Sequence, residues 1–162
     1  MTTSLSVGGF LPDATLADAG SGSTVPLRSQ NRDSVVLVHS HGPECAACGR
    51  YLADLAGHVA ELAAWDGHVV ALIPDKDGAA AKFRERALPF PTLIEDERTK
   101  GLMDDAGVVV ADRYGQVYAV APAGPAHAFL APQEVEQWVR FLAIQCPECG
   151  VHDDPGPAHW GE

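Results

Sequence analysis

Basic residues are scarce: 11 Lys and Arg stand against 22 Asp and Glu, a formal net charge of -11. A surface of that sign repels phosphate backbones, which excludes nucleic acid as an expected partner. It also argues against electrostatic docking on anionic membranes. Long apolar runs are missing too, and none approaches the ~18 residues that a membrane-spanning helix needs. The opening segment MTTSLSVGGFLPDATLADAG has no basic n-region and no long apolar h-region. No secretory signal is read there, and a cytoplasmic location is expected. No Gly-rich fingerprint opens a helix after a strand, so no dinucleotide cofactor is implied. Cysteine is sparse as well, with only 4 residues, yet these form two Cys-x-x-Cys pairs. Structural disulfides are rare in the cytoplasm, so such pairs there point to redox catalysis or metal.

What is present suffices for one domain. The chain has 162 residues, of which 46% are hydrophobic. A domain of this size buries roughly 70% of its unfolded surface, so neither a metal nor a disulfide is needed merely to fold. Apolar pieces at 14–16 and 24–27 flank a Gly/Ser turn and predict a short hairpin. The run 35–38, Val-Val-Leu-Val, reads as a strand buried on both faces. From 46 to about 65, Leu52, Leu55, Val59 and Leu62 recur at helical steps. A second buried strand is expected over 68–73 and a helix over 78–87. Beyond Pro89 and Pro91, a short extended piece at 92–94 and a short helix over 97–105 are expected. Runs at 108–111 and 116–120 around Asp112-Arg113-Tyr114-Gly115 predict a β-hairpin. Residues 133–145 predict an amphipathic helix with Val135, Trp138, Val139 and Leu142 facing inward. The order predicts an α/β protein, a mixed central sheet in three layers with an N-terminal β-hairpin extension. Residues 1–145 form the domain, and 146–162 are a Cys- and His-containing tail.

Cys45 and Cys48 fall where a buried strand ends and a helix begins. A helix N-terminus exposes unpaired N–H groups and about half a positive charge. A thiolate at Cys45 is stabilised there, and the thiolate is the reactive species. Cys48 lies one turn further on the same side and can attack a mixed disulfide formed at Cys45. The blander alternative is two small residues packing at a helix start. A metal alternative adds His39 or His41 to the two thiolates. Either histidine can also stabilise the thiolate or shuttle its proton, and His41, in the loop, is the better candidate. His58 and His68 read as surface or packing positions.

The segments 35–38 and Pro43-Glu44-Cys45-Ala46-Ala47-Cys48-Gly49-Arg50 resemble the active-site strand, loop and helix of the thioredoxin-like superfamily, in its AhpC/TSA–redoxin and TlpA-like branches. Leu11-Pro12-Asp13-Ala14-Thr15-Leu16-Ala17-Asp18 resembles the N-terminal entry of those proteins, and 108–118 resembles their late hairpin. The resemblance implies a thioredoxin-like fold over roughly 8–145, with Cys45 attacking and Cys48 resolving. Glu44 stands where the family carries an aromatic residue, and its charge is expected to raise the thiol pKa. No proline precedes the strand at Val108, where the family has one; Ala106-Gly107 runs straight into it. Counted from Pro43, the peroxidase pattern would need threonine at Ala47 and cysteine at Arg50. Dithiol–disulfide exchange is therefore preferred, with an atypical peroxiredoxin-like peroxidase as the alternative. The expected partners are a protein or small-molecule disulfide substrate and an external thiol reductase, and no cofactor is required.

Cys146-Pro147-Glu148-Cys149-Gly150 matches a zinc-knuckle sequence, and His152 and His159 follow. Cys146, Cys149, His152 and His159 can supply four ligands to a zinc ion, making a zinc-binding or redox-sensing module the non-enzymatic alternative. A second exchanging dithiol and two idle thiols are the other readings of this pair. Trp160 suggests that the tail docks on this domain or on a second copy, giving a homodimer. The preceding helix spans about 20 Å and runs away from Cys45, so one zinc shared by all four cysteines within one subunit is not expected.

Overall fold

The computed structural model describes residues 4–28 and 33–145. The elements are β1 (Thr15–Ala17), β2 (Thr24–Pro26), β3 (Ser34–His39), α1 (Ala46–Ala56), α2 (Val59–Ala64), β4 (Gly67–Ile73), α3 (Ala79–Glu85), β5 (Thr92–Ile94), β6 (Gly107–Ala111), β7 (Val117–Pro122) and α4 (Pro132–Ile144). Strands β1 and β2 pair in a separate hairpin, and the main sheet has the order β5-β4-β3-β6-β7. β3–β4 and β4–β5 are parallel, joined through helices; β3–β6 and β6–β7 are antiparallel. This is the expected mixed thioredoxin-like α/β sheet with its N-terminal hairpin.

The central strands β3, β4 and β6 are buried on both faces because they are apolar runs rich in valine rather than alternating with polar residues. Val36, Val38, Val69, Ala71, Val108 and Val110 pack against Leu52 and Leu55 of α1, Leu62 of α2, Phe83 of α3 and Val135 and Val139 of α4. Both parallel crossovers advance the same way across the sheet, so their helices lie on one face. The opposite face, with Val35, Leu37, Val70, Leu72 and Val109, is covered by Leu11, Leu16, Leu27, Leu102 and Met103. The third layer among the described residues is therefore the N-terminal segment and a turn region.

Two expected elements differ. The helix predicted over 46–65 is two helices, because the Gly57 N–H bonds back to the Asp54 carbonyl at 3.1 Å and closes α1 with a tight turn. The helix predicted over 97–105 is absent. The Asp96 carboxylate accepts the Arg98 N–H at 2.9 Å, Thr99 Oγ1 accepts the Asp96 N–H at 2.9 Å, and Gly101 has φ +84. Those local bonds compete with a helical ladder. In α4, Val135, Val139 and Leu142 are buried as expected, while Trp138 is only partly so.

The hairpin is fastened to the sheet by Asp18. Its carboxylate accepts the N–H groups of Gly20 and Ser21 and reaches Thr92 N–H on β5 at 2.9 Å. Burial raises this carboxyl, but the bonds from Thr92, Ser21 and Gly20 outweigh it and hold the pKa below the usual value. The far end of α4 meets the start of β3: Leu142, Ala143 and Gln145 line one cavity with Ser34 and Asp112. Gln145 thus ends at the sheet edge opposite His39, as the helix length predicts. The ligands proposed for zinc, Cys146, Cys149, His152 and His159, lie outside the described residues.

Candidate active site

Strand β3 delivers the chain to His39, and the loop 40–45 turns it into α1. Ser40 is buried and its Oγ accepts the Gly42 N–H at 3.2 Å. Arg86, the C-cap of α3, supports the loop, donating from Nη2 to the Pro43 carbonyl at 2.8 Å while its guanidinium lies over Phe83. Cys45 is the N-cap of α1, and its Sγ accepts the Cys48 N–H at 3.3 Å. That bond satisfies one of the helix's orphan donors and favours a negative sulfur. Cys48 lies a turn deeper, 1% exposed, in a small apolar nest with Ala106 and Ala123.

The antiparallel register places His39 opposite Gly107. The residues just before β6 therefore meet the cysteine loop. Ala106, where the family's proline would stand, packs against Cys48. Its N–H donates to Asp105 Oδ1 at 2.8 Å and its carbonyl accepts the Ala123 N–H at 2.8 Å. Asp105 Oδ1 also holds His41 Nε2 at 2.5 Å. This bond turns the other ring nitrogen, Nδ1, to the thiols: it lies 3.7 Å from Cys48 Sγ, and a ring nitrogen of His41 lies within 4.8 Å of Cys45 Sγ. From the loop after β7, His127 brings Nε2 to 3.2 Å from His41 Nδ1, with the rings edge to face. His127 has φ 52, a left-handed conformation that few non-glycine residues adopt.

The electrostatics separate the two thiols. Partial burial works against a thiolate at Cys45. The Cys48 and His41 hydrogen bonds, the Cys48 backbone N–H and the His127 charge outweigh it and pull the pKa down to about 7. Cys48 moves upward, first through burial and then through donating its proton to Cys45. Bonding to Cys45 raises the His41 pKa, with Asp105 adding to it, while burial opposes. Nδ1 has two sulfurs in reach, and the one that ionises, Cys45, is the charge partner.

Of the residues singled out in the sequence, Cys45, Cys48 and His41 come together. His39 does not join them. Its Nε2 is bonded to Glu95 at 2.6 Å and its Nδ1 to the Asp105 carbonyl at 2.9 Å, so both ring nitrogens are committed to joining strand ends. Glu44 does not raise the Cys45 pKa as expected; its carboxylate turns outward to Lys82 Nζ at 2.9 Å, an exposed ion pair. His68 is half-buried, and burial lowers its pKa. Asp105 and His127 were missed. The only sequence signal for His127 is a histidine in an otherwise Ala/Pro/Gly-rich loop. His41, Cys45 and His127 each offer one ligand atom, all within 4.8 Å of one another, and are the group among the described residues able to hold a metal.

No described helix is long and apolar enough to cross a membrane. No curated protein sequence matches the chain. Among solved structures, a putative thiol:disulfide interchange protein DsbE from Chlorobium tepidum is 24% identical, with TM-score 0.63 over 74% of this chain and 86% of that one. Mycobacterium tuberculosis AhpC is 17% identical, with TM-score 0.68 over 90% of this chain and 98% of that one. A secreted M. tuberculosis disulfide oxidoreductase homologous to E. coli DsbE is 17% identical, with TM-score 0.59 over 78% of this chain and 94% of that one. At these identities the likeness is one of fold. The AhpC/TSA family profile matches residues 7–136, most of the domain and the whole cysteine site. The chain belongs to the AhpC/TSA family, built on the thioredoxin-like fold.

Proposed function

We propose that the protein is a thiol–disulfide oxidoreductase in which Cys45 attacks and Cys48 resolves. The observation that carries this reading is the asymmetry of the pair: Cys45 is at the helix cap accepting the Cys48 N–H, and Cys48 is sealed behind it. The Cys45 thiolate attacks one sulfur of a substrate R–S–S–R′, forming Cys45–S–S–R and expelling R′–S⁻, which takes the proton of the His41 imidazolium and leaves that ring neutral. Cys48 then loses its proton to His41 Nδ1 and attacks Cys45 Sγ. The Cys45–Cys48 disulfide forms and R–S⁻ leaves, protonated by the His41 imidazolium. Asp105 is a positioning residue: it fixes the His41 ring so that Nδ1 faces the sulfurs. An external dithiol or thiol reductant returns the two electrons. No cofactor enters this cycle, and the proposed setting is the cytoplasm, whose thiol pool keeps the pair reduced.

The substrate-facing backbone bears on specificity. At Ala106 both the N–H and the carbonyl are bonded within the chain. The N–H is not free to pair with an extended peptide and the carbonyl is already engaged within the chain, which favours small or loosely held disulfides. Insulin and oxidised glutathione reduction, followed with a thiol regenerating system, tests the assignment. The wild type turns over, Cys45→Ser is inactive, and Cys48→Ser accumulates a mixed disulfide at Cys45. Full activity of Cys45→Ser refutes it, and rapid peroxide consumption by the wild type would move the reading to a thiol peroxidase.

A further inference from the structure

We propose that the reduced protein binds a thiophilic divalent ion, Zn²⁺, through Cys45 Sγ, His41 Nδ1 and His127 Nε2, and releases it when the Cys45–Cys48 disulfide forms. The geometry is the main support. A tetrahedral zinc with nitrogen ligands at 2.0–2.1 Å sets its two nitrogens about 3.3 Å apart. His41 Nδ1 and His127 Nε2 are 3.2 Å apart. With sulfur at 2.3 Å, a nitrogen and the sulfur stand about 3.6 Å apart, so the 4.8 Å limit within which all three atoms lie needs only rotamer adjustment.

Two further observations point to a ligand. His41 has its remote nitrogen fixed by Asp105 at 2.5 Å, the carboxylate–histidine arrangement that orients a coordinating imidazole and raises its basicity. His127 adopts a left-handed backbone conformation in reaching the cluster, and no proton in the exchange cycle above passes through it. The three ligands come from the loop after β3, the cap of α1 and the loop after β7. One thiolate with two imidazoles suits zinc, and three protein ligands leave its fourth position for water or a substrate sulfur.

Metal and disulfide compete for the same sulfur. Zinc-bound Cys45 thiolate and the Cys48 thiol, with one proton from solvent, react with R–S–S–R′ to give the Cys45–Cys48 disulfide, two free thiols and Zn²⁺. The substrate disulfide is the oxidant. The zinc site rests on the cluster geometry, and only its redox release rests on the exchange reading.

Cobalt titration of the full chain tests this, using a background in which Cys146 and Cys149 are serine so that the tail supplies no thiolate. Reduced protein is expected to take up one Co²⁺, with tetrahedral d–d bands and a thiolate-to-cobalt charge-transfer band that Zn²⁺ abolishes. Protein oxidised at Cys45–Cys48 takes up none. His127→Ala and His41→Gln, each checked for folding by circular dichroism, bind at least roughly tenfold more weakly, as expected on losing one ligand. Absence of cobalt and zinc binding to reduced protein overturns the proposal, as does binding unchanged by oxidation or by both folded variants. Disulfide exchange assayed in chelator separates the two readings: exchange without metal uptake sinks only the zinc site, and metal uptake without exchange sinks the oxidoreductase and the redox release but leaves the zinc site.

Discussion

A cysteine exchanges disulfides only as its thiolate, so the pKa of Cys45 is the quantity that decides reactivity at working pH. It is drawn down to about 7 from the ordinary thiol value of 9.0. Its thiolate fraction therefore rises through pH 7 and is nearly complete by pH 8. Iodoacetamide labelling of the Cys45 peptide, read by mass spectrometry, should accelerate from pH 6 to 8 and then level off, whereas an unperturbed thiol keeps accelerating past pH 9. His41→Asn removes a charge partner and should move the midpoint upward; Asp105→Asn should move it the same way by less, since it acts through His41. A midpoint unmoved by either change excludes the relay. The cysteines and His41 were legible in the sequence because covalent spacing and a helix start fix their relation. Asp105 was not, since it reaches His41 from 64 positions away, and His127 reaches it from 86. Local patterning carries no information about such pairs.

The elements that were legible are those with one dominant local force. β3, β4 and β6 carry continuous apolar runs rich in valine, and only a doubly covered sheet buries them whole. The 97–105 segment misled because Asp96 and Thr99 offer the backbone a tighter alternative to a helix. Its Leu102 and Met103 still reach the sheet, so the layer forms without a helix. The start of β6 is a tightly packed point of the scaffold beneath the site. A Cβ on Gly107 would stand 2.6 Å from the Ala121 carbonyl, 2.7 Å from Met103 Cε and 2.9 Å from Pro122 Cα. Two of these atoms are backbone of the paired strand and cannot rotate away. Gly107→Ala should therefore destabilise by about 1–3 kcal/mol in urea denaturation. Unchanged stability would mean that Gly107 does not stand opposite Pro122 in the β6–β7 pair.

At the scale of the whole molecule, the charge of -11 sets which disulfides arrive fastest. Two charged pairs flank Cys45, Glu44 with Lys82 and Asp105 with His41, and the Arg86 guanidinium at the Pro43 carbonyl is partly buried over Phe83. Arg50 is exposed one turn along α1, but Asp54 is exposed a turn further in the same groove. With the local field nearly neutral, the summed acidic surface governs encounter, and its reach is the Debye length, about 30 Å at 0.01 M salt and about 3 Å at 1 M. A cationic disulfide such as cystamine should be favoured at low salt and the anionic oxidised glutathione disfavoured. The two differ in intrinsic reactivity, so their rate ratio at a single ionic strength decides nothing. The change of that ratio with salt isolates the field. Stopped-flow oxidation of the reduced protein should show the cystamine-to-glutathione ratio falling roughly tenfold between 10 mM and 1 M salt, the lower end of electrostatic steering. A ratio independent of salt would place a local positive field at the mouth of the site strong enough to offset the rest of the surface. His41, His127 and Arg86 are groups that could supply it, and the same titration in the His127→Ala variant would then restore part of the salt dependence.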